Sequence, residues 1–146
     1  MHADWEDIEI ILTHPYNRYK FDMGEYNEIK PYFKAYYTKA NTYGGIKQFG
    51  LEISQGDYIM FVMPNTIFSC ATSIIDTMQR LETEGYKDFY LFNTVSCIRL
   101  DPETNEVASI NSLNTLDGKI FNREFIEKYG LSFITHLSSG EDLAFM

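Results

Sequence analysis

Cysteine, positive charge and long apolar runs are all scarce in this chain, and each scarcity removes a class of protein. Cys70 and Cys97 are the only cysteines among 146 residues, and they form no C-x-x-C pair. Two isolated thiols inside apolar segments exclude a disulfide scaffold and read as buried, reduced side chains. His2, His14 and His136 are scattered, so no zinc cluster follows from their spacing. Twelve basic residues stand against 21 acidic ones, a formal net charge of −9. That balance disfavours direct contact with nucleic acid or anionic lipid, and fits a soluble protein or one that shows an acidic face to a basic partner.

No apolar run approaches the ~20 residues of a membrane span. The start of the chain, Met1-His2-Ala3-Asp4-Trp5-Glu6, carries acids where a signal peptide carries bases. The expectation is a cytoplasmic protein with no membrane contact. There is no Gly-x-Ser-x-Gly elbow and no P-loop, and no repeat, linker or low-complexity tract divides the chain.

What is present is apolar and aromatic. Hydrophobic residues make up 45% and aromatics 16%, with 11 Tyr and 11 Phe, which is too apolar for a disordered chain. One domain, residues 1–146, with one core is expected. Tyr16, Tyr19, Phe21, Tyr26, Tyr32, Phe33, Tyr36 and Tyr37 place eight rings within 22 residues, more than one helix face can bury. Tyrosine with one end dry and the other wet suits protein interfaces and carbohydrate-stacking surfaces, so Tyr16, Tyr19, Tyr26 and Tyr36 mark a candidate interaction surface.

The periodicity is that of alternating strands and helices. Ile8–Leu12 reads as a buried strand bounded by His14-Pro15. Gly24–Tyr37 suits a helix broken near Pro31, with Ala35–Thr38 as a strand in the alternative. Ile46, Phe49, Gly50 and Ile53 recur at helical spacing, and Tyr58–Met63 is β-rich. Phe68, Ala71, Ile74, Ile75, Met78 and Leu81 predict a helix over 67–84, capped by Gly85. Phe89–Leu100 reads as one strand, with Asp101–Asn105 turning into Val107–Ile110. Asn122–Tyr129 is a helix with Asn122 as N-cap, Phe121 and Ile126 as a staple, and Gly130 as terminator. Ser138-Ser139-Gly140-Glu141 has the form of a capping box, yet the few residues after it make a helix too short to stand alone. Either that turn packs on the core or a partner completes it. The pattern as a whole is that of an α/β layered domain.

Three blocks, in order, resemble one family. Asp117-Gly118-Lys119-Ile120-Phe121-Asn122-Arg123-Glu124-Phe125 followed by Ser139-Gly140-Glu141-Asp142-Leu143 is similar to the acceptor-side end of family 2 glycosyltransferases, where G-K-[LI]-[FY]-x-[RK]-x-[FL] leads to a G-E-D segment. Asn41-Thr42-Tyr43-Gly44-Gly45, Phe49-Gly50-Leu51-Glu52 and Ser54-Gln55-Gly56-Asp57-Tyr58-Ile59-Met60-Phe61 resemble the family's run ending in G-[ED]-[YF]-[IV]-x-F-L. Asp7-Ile8-Glu9-Ile10-Ile11-Leu12 is similar to its D-x-E-I-I-[LV] strand. The resemblance implies a GT-A-like, Rossmann-like three-layer domain with a mostly parallel central sheet, and the chain starts at what would be the second strand of that fold. It also implies Asp142 as catalytic base with Glu141 beside it, and Asn41, Gly44, Gly45, Lys119 and Arg123 around donor or acceptor.

A carboxylate next to an acceptor hydroxyl removes its proton as the bond to the anomeric carbon forms; without the resemblance, Glu141 and Asp142 simply favour a helix amino end. Lys119 and Arg123 suit an anion or, equally, pairing with Glu124 or Glu127. The glycines suit a turn as well as a cleft. The donor side departs from the family's pattern. Thr13-His14-Pro15-Tyr16 stands where an Asp pair is usual, and Met63-Pro64-Asn65-Thr66 where D-x-D is usual. A diphosphate leaving group calls for a hard divalent cation held by carboxylates, and Asn65 offers one neutral oxygen. The expectation is a degenerate glycosyltransferase-like domain, a pseudoenzyme without cofactor, that holds a protein partner or a second copy through an acidic, Tyr-rich surface. The alternative is an active inverting transferase using Mn²⁺ or Mg²⁺ and a nucleotide sugar, or one completed by another chain that supplies the missing strand and carboxylates.

Overall fold

A computed structural model of the protein describes residues 7–15, 32–63, 73–84, 88–91, 96–100, 107–110, 116 and 119–145. In order these form β1 (Ile10–Pro15), β2 (Phe33–Thr38), α1 (Tyr43–Ile53), β3 (Tyr58–Met60), α2 (Ser73–Glu84), β4 (Phe89–Leu91), β5 (Ser96–Leu100), β6 (Val107–Ile110), β7 (Lys119–Asn122), α3 (Arg123–Tyr129) and α4 (Glu141–Phe145). The class is mixed α/β.

β1 and β2 pair in parallel, with Ile10 opposite Phe33 and Pro15 opposite Thr38. β2 is thus the strand alternative for Ala35–Thr38; the helix alternative falls mostly on residues outside those described. β1 runs past Leu12 to Pro15, because the proline takes the last strand position and its missing N–H interrupts no inner ladder. The second sheet has the order β3-β7-β4, and both of its pairs are antiparallel, with Phe121 opposite Ile59 and Phe89. β5 and β6 form an antiparallel pair, as the turn chemistry of Asp101–Asn105 implies. Among the described strand pairs, then, only β1–β2 is parallel, and a mostly parallel sheet is not what these segments build.

The difference originates in β7, which sequence patterning misses. Lys119–Asn122 is four residues long, too short for a period, and it is a strand because it inserts between β3 and β4. The single strand expected over Phe89–Leu100 is likewise two, β4 pairing with β7 and β5 with β6. β3 stops at Met60, short of Met63.

Helix boundaries follow the caps. Thr42 caps α1, its Oγ1 accepting from Gly45 N at 3.1 Å. Asn122 Oδ1 accepts from Glu124 N at 2.7 Å, and Gly130 closes α3 in the left-handed conformation at φ 62°. Phe121 and Ile126 are both buried in one cluster, as a staple requires. In α2, Leu81 of the expected stripe is buried and Ile74, Ile75 and Met78 are half-buried, with Thr77 buried beside them, while Asp76, Gln79, Arg80 and Thr83 are exposed; Phe68 and Ala71 lie outside the described residues. The expected start at Ile67 and the Gly85 cap lie outside the described residues.

The core comprises Leu51, Ile59, Leu116, Phe121, Ile126, Phe133 and Phe145, with Phe61 and Leu131 packed against it. It joins α1, β3, β7, α3, the segment after α3 and α4. Phe145 is only 1% exposed, so the final turn packs on the core. That turn begins at Glu141, directly after Gly140 at φ 74°, with Ala144 N donating to Gly140 O at 3.2 Å. Glu141 is therefore the first helical residue, and the expected capping box, which needs it two positions further in, does not form. Its carboxylate is drawn instead to Lys47.

Gly44 is held by its surroundings, since a Cβ there would stand 2.3 Å from Ile134 O and 3.2 Å from Leu137 O. Gly44→Ala is expected to cost about 3 kcal/mol in urea unfolding, because the obstacle is backbone. Gly130→Ala, with left-handed φ but nothing within 4 Å, is expected to cost about 1 kcal/mol.

Candidate functional site

The residues that converge most tightly lie between α1 and α4. Lys47 and Gln48 are neighbours on α1, so they project about 100° apart and reach different parts of the same C-terminal segment. Lys47 Nζ donates to Glu141 Oε1 at 2.9 Å and to Asp142 Oδ1 at 2.5 Å. Asp142 Oδ2 accepts from Leu116 N at 3.1 Å. All three charged side chains are mostly dry, with exposures of 11% for Lys47, 10% for Glu141 and 16% for Asp142. Nζ also lies 5.9 Å from the centroid of the Phe133 ring.

Gln48 and the helix amino end complete the attachment. Gln48 Oε1 accepts from Phe133 N at 2.9 Å, Gly44 N donates to Leu137 O at 2.9 Å, and Thr42 Oγ1 donates to Thr135 O. Beneath the ionic contact the Phe145 ring stacks on Phe133 at 4.4 Å and meets Phe121 and Phe61 edge-on at 5.5 and 5.8 Å. Residues 131–145 thus form an arm laid along α1, clasped by an ammonium and filled by an aromatic plug.

The residues singled out from the sequence divide around this arm. Asp142 and Glu141 are together, and both are engaged by Lys47. Gly44 and Gly45 are buried under the backbone of Ile134, Thr135 and Leu137, so the space above them is filled by the chain itself and does not line an open cleft. Asn41 is exposed just ahead of the cap. Lys119 is 4% exposed on β7. Arg123 donates to Gly56 O at 2.9 Å and Ser54 Oγ at 3.0 Å, so it holds the α1–β3 loop. Nearby, Glu9 accepts from Lys34 Nζ at 2.8 Å and Gln55 N at 3.0 Å, and the Lys34 ammonium keeps its carboxyl below the usual range.

Tyr36 is half-buried on β2 and Tyr37 beside it is exposed. His14, where the Asp pair would stand, meets Tyr37 edge-on at 6.2 Å. Tyr16, Tyr19, Tyr26 and Asn65 lie outside the described residues. Among the described residues no three His, Cys, Asp or Glu side chains converge as a metal site would need, and no helix is long and apolar enough to cross a membrane. No family model, curated protein or solved structure matches the chain.

Lys47 is the residue the sequence did not disclose. It lies 94 and 95 positions from its partners, and the only local signal was an acidic pair opening a helix too short to stand alone. Burial pushes its ammonium toward a lower pKa, but the hydrogen bonds to Asp142 and then Glu141 outweigh that and hold it above the ordinary lysine value. A raised folded-state value stabilises the fold fully below the unfolded lysine value and loses that contribution as pH rises through the folded one. Stability is therefore expected to fall above about pH 10.5, and the fall should be smaller in Lys47→Met, with Lys34, whose ammonium Glu9 also holds above the ordinary lysine value, contributing the remainder. That substitution leaves two neighbouring carboxylates without their cation and should itself cost about 2 kcal/mol at pH 7, less than a fully buried pair because water still screens part of the site. Urea midpoints at pH 7 and pH 11 for both proteins check this.

Proposed function

We propose that this chain is a degenerate glycosyltransferase-like domain of GT-A type that works as a binding or accessory module, not as a metal-dependent transferase on its own. The observation that carries this reading is the state of Asp142. A general base needs a free lone pair within reach of the hydroxyl it deprotonates. Here the side chain is mostly dry, with Oδ1 on the Lys47 ammonium and Oδ2 on the Leu116 amide, so each oxygen already accepts a structural hydrogen bond and little of the carboxylate is open to an acceptor.

The donor side supports the same reading. A thioether, a proline and two neutral side chains, Met63-Pro64-Asn65-Thr66, do not fit the donor set that Mg²⁺ or Mn²⁺ requires. No step through a metal follows from them. The net charge of −9 and the exposed Tyr37 favour a basic protein partner, whose encounter would be accelerated by attraction and weakened by salt.

The test is thermal unfolding with UDP, GDP, CMP and their sugars, with and without Mn²⁺. The expected result is a flat panel. A ligand at a hundred times its Kd stabilises by about 2.7 kcal/mol, or roughly 5–10 °C for a chain this size, so a Mn²⁺-dependent rise of that order overturns the proposal and restores Asp142 as a base. Asp142→Asn provides the second arm. It is expected to lower the urea midpoint by an amount equivalent to about 1–2 kcal/mol, because it removes a charged partner of Lys47; full retention of stability with loss of sugar transfer would contradict the structural role.

A further inference from the structure

We infer that the surface under α4 is a recognition socket, that α4 occupies it as a displaceable internal ligand, and that it receives in trans a helical turn bearing an acidic pair followed by an aromatic residue. The inference rests on residues other than the Tyr-rich segment and needs neither a sugar nor a metal.

Three observations carry it. First, α4 has five residues, far below the length at which a helix holds itself together in water, so its conformation is owed to the surface that receives it. Second, that surface reads its occupant at three chemically distinct points. The Lys47 ammonium takes Glu141 and Asp142 together, the Leu116 N–H takes the second oxygen of Asp142, and the hollow among Phe61, Phe121 and Phe133 takes the Phe145 ring. An acid, an acid and an aromatic three positions after the second acid is a pattern another chain can carry on one helical turn. The pairing is directional as well, because a cation at one end and aromatic walls at the other fix which way the turn lies.

Third, the tether is slight. Upstream, the arm is pinned through Phe133, Thr135 and Leu137. Between that last anchor and α4 stand only Ser138, Ser139 and Gly140, all exposed, with Gly140 at positive φ. Release of α4 therefore need not disturb the upstream anchors, and the vacated socket keeps Lys47 and Phe133 in place. A tethered segment competes at an effective concentration near millimolar for so short a link, so an incoming turn must bind more tightly than α4 or be locally concentrated. A foreign chain is the occupant favoured here over a second copy, since two copies each carrying −9 repel.

The test uses the full chain and a fluorescein-labelled peptide of residues 139–146, followed by polarisation. Phe145→Ala empties the aromatic hollow, and the peptide is expected to bind this variant about tenfold or more tightly than the unaltered chain. Adding Lys47→Glu should abolish binding, and a peptide with Lys-Lys in place of Glu141-Asp142 should restore it. Absence of saturable binding to a Phe145→Ala chain that still unfolds cooperatively, or binding indifferent to Lys47→Glu, overturns the socket. Should Phe145→Ala fail to fold, the unaltered chain titrated with millimolar peptide decides: saturable shifts of the Lys47 and Phe133 resonances support the socket, and their absence overturns it. Dimerisation of the unaltered chain that the peptide dissolves would overturn the assignment to a foreign chain and give the socket to a second copy.

Discussion

One ammonium group decides how α4 is seated on α1. Lys47 Nζ sits between two carboxylates of α4, in a place dry enough that leaving any of the three charges alone would be costly. The amino half of α1 is thereby committed to the C-terminal arm. Once Lys47 has its partners, Gln48 faces the backbone of Phe133, Gly44 faces Leu137 and Thr42 faces Thr135. These neutral contacts contribute about 1 kcal/mol each at most, and the ionic one is what makes any other register of the arm expensive.

The free energy that holds the arm comes from elsewhere. Burying a phenylalanine ring stabilises by roughly 1.5–3 kcal/mol, and Phe133 and Phe145 are both buried with Phe61 and Phe121 around them. A partly buried salt bridge, by contrast, repays little beyond its own desolvation. The division of labour is therefore clear: the rings supply affinity, and Lys47 with its two acids supplies orientation. The close approach at Gly44 belongs to the same arrangement, because the arm reaches Leu137 only where no Cβ stands in the way.

Local chemistry was legible in the sequence, and long-range chemistry was not. The Asn122 cap, the Phe121–Ile126 staple and the Gly130 stop were all readable because each is a contact within a few residues. The same holds for the antiparallel pairing of β5 with β6. β7 was not readable, since four residues carry no period and its strand character comes from β3 and β4 on either side. Phe89–Leu100 failed for a related reason: an apolar run says that a segment is buried but not which neighbour it pairs with. At the site, the acidic pair could be seen, but its partner could not, because nothing around Lys47 marks it out from the other lysines of a soluble helix. Gly44 and Gly45 could be read as a turn or as a cleft lining, and only the fold shows the chain's own backbone lying over them.

The acidic pair is where resemblance and geometry assign different work to one group. Glu141-Asp142 after Ser139-Gly140 is the segment that points to a sugar transferase, and the same two carboxylates are the ones Lys47 holds. Proton abstraction and a structural ion pair make different demands on a carboxylate: the first needs an oxygen open to a substrate hydroxyl, the second needs both oxygens satisfied and shielded from water. With Oδ1 on Lys47 and Oδ2 on the Leu116 amide, Asp142 meets the second demand. To meet the first, an acceptor hydroxyl would have to reach the remaining lone pair of an oxygen that already carries a donor, on a side chain that is only 16% exposed. The contacts around Lys47 therefore favour the structural task over the catalytic one that the resemblance implies.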